Sequence, residues 1–421
     1  MKFIDLGIKN INSYNEFEIK AKETSSIYIA RAFAPITFEK FNFLTYIKSP
    51  NEFWKFIDSQ QEFRFSYYGK RIFKFTDTEL KLIKKISLNI GDIFKDFNRK
   101  TIPIGINHQL GSITTMRILE QLKDKNDDLS SVLEVGGGSG MLGHMCYARG
   151  FKYSNFEVTQ SFYTLNATVF KYLYLDKFTD THKVNVGENN FEKKEIDNQL
   201  TIIPWWHFVN LEFPLPKFRV VVMNHCFFEI SKKALAFIIT RLANEINGRV
   251  YLIVSGWGDS RFTDIDNNFL QWLEKEFDFR AEDIVGDMWI KSTRTSLFSF
   301  QKKKSKITNI YSLPIDQRFG VQENIEKNHT RSKFINYIKK NANEYKKLIR
   351  SYFNLNKKNS EFFILGKNEP KIISEKFDSS KYSKNYDDLK ILISEIESEL
   401  GKPCYTEDEA YGFYISRPDH I

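Results

Sequence analysis

An α/β fold with a doubly wound, mostly parallel, Rossmann-like sheet is predicted for residues 101–302, and three observations predict it. A short apolar strand runs straight into a glycine cluster and then a helix, from Ser131 to Gly150 (SVLEVGGGSGMLGHMCYARG). From about residue 130 to 302, apolar runs of strand length alternate with stretches of helical period. The clearest of those runs, Phe218 to Met223 (FRVVVM), reads as a strand buried on both faces.

The glycine cluster is the stretch around which the rest is organised. Val132, Leu133 and Val135 form the strand; Gly136, Gly137, Gly138 and Gly140 form the turn. Met141, Leu142, Met145 and Ala148 recur at helical spacing, and Gly150 stands where a helix C-cap is expected. This order brings backbone N–H groups and a helix N-terminus to the end of a strand, which suits a nucleotide-like ligand. Two registers fit. Gly138, Gly140 and Gly143 satisfy the dinucleotide pattern, but its first glycine then follows two others. Glu134, Gly136, Gly138 and Gly140 satisfy an acidic-x-Gly-x-Gly-x-Gly pattern, which resembles the cofactor loop of Rossmann-like S-adenosylmethionine-dependent methyltransferases. A carboxylate at Glu134 attracts an ammonium group and opposes a pyrophosphate.

Residues 1–100 are aromatic-rich and read as an accessory α+β or helical region. Phe63, Phe65 and Tyr67 alternate before Gly69-Lys70, and Arg71 to Phe75 resume the pattern, so a hairpin is expected. Thr76 and Glu79 form a capping box for a helix through Leu80, Ile83, Ile86 and Ile90, with Gly91 as its expected break. Thr101 to Leu110 is turn-like, and its His108 and Gln109 are candidates to touch a cofactor; a helix through Met116, Leu119 and Leu122 follows.

Beyond the glycine loop, Tyr153 to Val158 predicts a second strand that delivers Glu157, about twenty residues on, where this fold places a carboxylate on ribose hydroxyls. The alternative is a surface Glu at a strand end. Ser161 is the expected cap of a helix through Phe162, Leu165, Val169 and Leu173. Gln199 to Pro204 is a third strand, and Trp205 and Trp206 beyond it either stack on a ligand or pack in the core. The Phe218–Met223 strand delivers Asn224, His225 and Cys226 to the sheet's C-terminal rim, where ligands of open α/β sheets bind. Ser231 then caps a helix through Leu235 to Leu242, and Arg249 to Ser255 forms a fifth strand ahead of a Gly256-Trp257-Gly258 loop. Asn267 to Phe277 supplies a helix, and Thr295 to Gln301 an antiparallel edge strand. Residues 303–421 read as a mostly helical extension, with amphipathic helices through Phe334 to Ile349 and through Leu389 to Leu400.

The 421 residues favour two or more domains, and 39 Phe with 20 Tyr exclude global disorder. No apolar run reaches the roughly 20 residues of a membrane span, and the N-terminus lacks an apolar signal core. Three widely spaced cysteines, none at metal spacing, suit a reduced cytoplasmic setting, and no metal site is expected. The net charge of +9 is concentrated at 331–371, a surface for peripheral membrane contact or simply a solvated face; no nucleic-acid module signature appears.

Together these segments resemble the bacterial sugar O-methyltransferases of glycan biosynthesis. The resemblance lies in Leu133 to Gly140, in Tyr153 and Glu157, in Ile203-Pro204-Trp205, and in Asn224 to Glu229. The chain departs from that pattern at Val158-Thr159-Gln160, where Leu-Pro is usual, and at His225-Cys226. The resemblance implies S-adenosylmethionine as cofactor, held by Glu134, Gly136, Gly138, Gly140, Glu157, Trp205 and Asn224, with a sugar hydroxyl as acceptor. His225 is the candidate general base by its intrinsic pKa and its place past the fourth strand, with Glu229 to orient or replace it and His207 as the next choice. The competing readings are a catalytically silent scaffold subunit and a methyltransferase acting on protein or nucleic acid. The chain lacks the Asn/Asp-Pro-Pro-aromatic motif of amino-group methylation at the fourth strand.

Overall fold

The structure, a computed structural model, describes residues 2–24, 46–59, 74–95, 101–184, 198–224, 226–227, 230, 232–256, 267–285, 294–303 and 381–404. Among these, helices α1 (Phe3–Thr24), α2 (Pro50–Ser59), α3 (Asp77–Phe94) and α4 (Ile106–Lys125) precede the sheet. Then come β1 (Ser131–Val135), α5 (Met141–Ala148), β2 (Lys152–Glu157), α6 (Gln160–Tyr174), β3 (Phe178–Asp180), β4 (Leu200–Pro204) and α7 (Trp205–Val209). The second half of the sheet comprises β5 (Val220–Asn224), α8 (Lys232–Glu245), β6 (Val250–Gly256), α9 (Asn267–Glu276), β7 (Phe277–Val285) and β8 (Arg294–Lys302). Helix α10 (Tyr386–Leu400) closes the described chain.

The strands form one sheet in the order β3-β4-β2-β1-β5-β6-β8-β7. It is parallel from β3 to β6, and β8 runs antiparallel to both β6 and β7. The chain winds outward from β1 through β2 to the edge strand β3, steps back to place β4 between β3 and β2, then returns beside β1 as β5 and winds the other way. The strand order therefore reverses between β1 and β5, the place where such sheets open a ligand crevice at their C-terminal ends.

Several sequence expectations need correction. The strand expected at the sheet edge is β8, and it lies inside, because β7 adds beyond it; Phe277, expected to end a helix, starts β7. Phe277 is fully buried, and both it and Phe279 meet the Phe300 ring of β8, so packing against β8 holds this segment as a strand. Gly91 does not break α3, which runs on to Phe94. A Cβ at Gly91 would stand 2.4 Å from Leu400 Cδ1, so the glycine instead admits α10 at close range. The expected turn at 101–110 is shorter: Gly105, at φ 61°, ends it, and His108 and Gln109 lie in the first turn of α4. The N-cap of α6 is Thr159 rather than Ser161. The expected hairpin (63–75, apart from its last two residues), the 334–349 helix, the basic 331–371 stretch, Ser231 and the loop at 257–258 lie outside the described residues.

Both flanking regions are tied to the sheet's helical layer. Thr76 and Glu79 form the expected capping box, and Glu79 also receives a bidentate pair from buried Arg117 of α4, at 2.6 and 2.8 Å. Lys84 of α3 pairs with Glu395 and Glu399 of α10. Backbone bridges join Phe75 to Lys384 and Ile102 to Cys404. A continuous apolar core runs from α2, α3 and α10 through α4 into α5 and α6, and a second fills the opposite face of the sheet. Among the described residues, no helix is long and apolar enough to cross a membrane.

Candidate cofactor site

The glycine turn adopts the conformation its composition demands. Gly136, Gly138 and Gly140 have φ of 70°, 53° and 75°, in the left-handed region that side chains resist. Its neighbours hold it in place. Gly136 N–H donates to the Phe156 carbonyl (2.8 Å), Gly137 N–H to Asn155 Oδ1 (3.1 Å), and Asn166 Nδ2 to the Gly138 carbonyl (2.8 Å). A Cβ at Gly136, Gly137 or Gly140 would crowd Cys226, Asn155 or Asn166 respectively, whereas one at Gly138 would meet nothing within 4 Å. Gly138 is thus the point of the turn that faces open space.

Two carboxylates flank this turn. Glu134, in β1 and 2% exposed, accepts from Tyr153 Oη on one oxygen and from Asn224 Nδ2 (3.2 Å) on the other. Burial pushes it up to about 7, against smaller downward pulls from those two bonds. Glu157, at the end of β2 and also 2% exposed, accepts from the N–H groups of Val158 (2.9 Å) and Thr159 (3.0 Å) and from Thr159 Oγ1 (3.1 Å). Burial again pushes it up to about 7, and the Thr159, Val158 and Gly138 backbone groups pull it back in part. No Lys or Arg among the described residues pairs with either carboxylate. Two buried acids, hydrogen-bonded but without a cationic partner among the described residues, thus flank the glycine turn, an arrangement suited to a cationic group and to hydroxyl donors.

Asn224, at the end of β5, is locked in one orientation. Its Oδ1 accepts from Thr115 Oγ1 (2.8 Å) and Ser255 Oγ (2.5 Å), which turns its Nδ2 to Glu134. Cys226 follows it and donates to the Val135 carbonyl at 2.9 Å, closing the C-terminal ends of β1 and β5 against each other. The structure therefore brings Glu134, Gly136, Gly138, Gly140, Glu157 and Asn224 together. His225 and Glu229 lie outside the described residues.

Trp205 and His207 take other places. Trp205 stands at the end of β4, where Pro204 pairs with Glu157, but it is 2% exposed, lies edge-on to Trp206, and donates from Nε1 to Glu18 of α1 (2.9 Å). Its ring is core-packed under α1, the second of the two readings above. His207 is 1% exposed, donates from Nε2 to the Thr181 carbonyl (2.8 Å), and stacks on Phe213 with centroids 4.2 Å apart. Burial lowers it to about 4, so it stays neutral and serves packing. Gln109 is likewise committed, to Ser87 Oγ and the Ile104 carbonyl.

Sequence reasoning gave no site role to Tyr153, Asn155, Asn166, Thr115 or Ser255. A signal existed for the first two: Tyr153, Ser154 and Asn155 are polar residues within a strand buried from Tyr153 to Glu157. Asn166, Thr115 and Ser255 arrive from distant segments, which no local pattern announces.

No protein-family model and no curated protein match this chain. Among solved structures it is similar to magnesium protoporphyrin IX methyltransferase from Synechocystis PCC 6803 with bound SAM, at 11% identity and a TM-score of 0.33, over 53% of this chain and 97% of that one. It is also similar to the bifunctional kinase-methyltransferase WbdD (10% identity, TM-score 0.28, 44% of this chain and 39% of that one). A third is the mitomycin 7-O-methyltransferase MmcR (14% identity, TM-score 0.29, 46% and 56%). Likeness at this level carries no argument about activity. Among the described residues, no group of three His, Cys, Asp or Glu side chains could hold a metal ion.

Proposed function

We propose that this chain is an S-adenosylmethionine-dependent methyltransferase that acts on a hydroxyl group, with a sugar as acceptor. One observation carries the cofactor assignment: two buried carboxylates, Glu134 and Glu157, without a Lys or Arg partner among the described residues, at the C-terminal ends of adjacent strands on either side of a left-handed glycine turn whose Gly138 faces open space. The cofactor offers a methionine ammonium and two ribose hydroxyls. Glu134 would hold the ammonium and Glu157 the hydroxyls, while Gly136, Gly138 and Gly140 let the backbone approach. A dinucleotide pyrophosphate would instead bring two negative charges to two carboxylates.

When bound, the cofactor supplies an electrophilic methyl group. The chain's part is to hold the acceptor oxygen in line and to take its proton. Asn224 is fixed by Thr115, Ser255 and Glu134, so the segment that begins at His225 leaves β5 from a rigid point at the crevice rim. His225 is assigned as the base on that position, with Glu229 to orient or replace it. The sugar acceptor rests on the resemblance of Leu133–Gly140, Ile203–Trp205 and Asn224–Glu229 to the sugar O-methyltransferases. The experiment is methyl transfer from labelled S-adenosylmethionine to a panel of nucleotide sugars and glycans. Label in a sugar supports the reading. Cofactor binding with label only in protein or nucleic acid would overturn the acceptor, and no cofactor binding would overturn the whole.

A further inference from the structure

Helix α1 packs along α6 through an apolar face of buried Phe3, Leu6, Ile11, Tyr14 and Ala21, and polar contacts to residues just beyond the C-terminal ends of β2 and β4, beside the proposed cofactor site, also hold it. Asn10 donates to Thr168 (3.0 Å), His182 Nε2 meets Ser13 Oγ (2.8 Å), and Gln160 donates to Asn15 (3.3 Å). Glu18 receives both Trp205 Nε1 (2.9 Å) and Tyr46 Oη (3.1 Å). Ser13, His182 and Asp180 follow one another in the order of a hydrolytic triad, with His182 Nδ1 at 2.6 Å from Asp180. Ser13 is mid-helix, however, where neighbouring N–H groups are bound within the helix and offer no oxyanion site, so these three residues serve docking.

One polar group on this face is left over. Tyr14 is 0% exposed, its ring clamped between Tyr163 and Trp206 with both centroids 4.8 Å away, yet its hydroxyl has no hydrogen-bond partner among the described residues. Leaving a buried hydroxyl unpaired is costly, so such a group in a well-tied interface calls for an explanation. Its surroundings are acidic: burial, then Glu18, Tyr46 and Glu157, all push the phenol well above its ordinary value, so it is always a donor. Glu157 ends β2, three residues before the Gln160 that binds Asn15, and is purely an acceptor while ionised. A hydroxyl of the ligand can donate to the one and accept from the other, which is the complement a ribose presents.

We propose that α1 is a wall of the cofactor pocket and that the Tyr14 hydroxyl donates to the ribose that Glu157 holds. This inference rests on the cofactor reading above. The test is Tyr14→Phe, which keeps the ring clamped and removes only the hydroxyl. Binding of S-adenosylhomocysteine and of 5′-methylthioadenosine, which lacks the amino-acid end, is measured by calorimetry alongside ligand-free thermal unfolding. The expected result is a loss of about 10-fold in affinity, similar for both ligands, with a melting temperature unchanged or raised. Three results overturn the inference: unchanged affinity for both ligands, weakening confined to S-adenosylhomocysteine, or a ligand-free variant that melts lower than wild type, which would show the hydroxyl bonded within the protein. A wild-type protein that binds neither ligand overturns the cofactor reading itself, a distinct outcome.

Discussion

Consider a calorimetric titration of the protein with S-adenosylhomocysteine at pH 6, repeated in two buffers that differ in ionisation enthalpy. In the free protein burial holds Glu134 at about 7, so at pH 6 it is protonated in roughly nine molecules of ten. A methionine ammonium against this carboxylate favours its ionised form and would draw it back to its ordinary value of 4.5 or below. Binding at pH 6 should therefore release about 0.9 proton from Glu134 alone, seen as a difference in apparent enthalpy between the buffers. The same shift makes affinity fall by roughly 70-fold from pH 8 to pH 5. Without ligand the sign reverses in stability. Both carboxyls sit above their ordinary value when folded, so folding is favoured most below about 4.5 and loses about 3 kcal/mol per group as pH rises through 7. Bound ligand should flatten that decline. Equal enthalpies in the two buffers and an affinity constant from pH 5 to 8 would refute the pairing of Glu134 with the ammonium.

Two further outcomes follow from the structure. Arg117→Ala leaves Glu79 buried without its bidentate partner and removes the tie between α3 and α4; urea unfolding should show a loss of about 3–5 kcal/mol, and a loss below about 1 kcal/mol would mean the pair is not buried as described. His225→Ala should lower the methylation rate by about 10²-fold while leaving S-adenosylhomocysteine affinity unchanged, and full turnover in that variant would pass the role of base to Glu229.

Much of this was legible locally. The glycine turn is written in the sequence because only glycine tolerates φ of 53–75° three times within five residues, and β1, β5 and β6 because buried parallel strands are continuous apolar runs. Glu157 was found by its interval from the turn, and the structure makes it a buried acid rather than a surface one. What escaped depends on distant partners. β3 has three residues, too few for a period, and exists because β4 offers a free edge. Trp205 has the composition of a stacking platform, yet α1, nearly two hundred residues earlier, covers it with Glu18. His207 has the chemistry of a base until Thr181 and Phe213 close around it. Tyr14, in a helix without any catalytic signature, becomes notable only because its buried hydroxyl is left without a partner among the described residues.

The central claim is that the glycine turn holds S-adenosylmethionine, and Gly138 gives it the most direct test. Its φ of 53° excludes a β-branched residue without strain, and its Cβ position opens onto the space assigned to the ligand. Titration of wild type and Gly138→Val with S-adenosylhomocysteine, with circular dichroism to confirm that both are folded, should give one site per chain in the wild type and none in the variant. A folded Gly138→Val protein that binds as tightly as wild type, or a wild type that binds nothing, would contradict it.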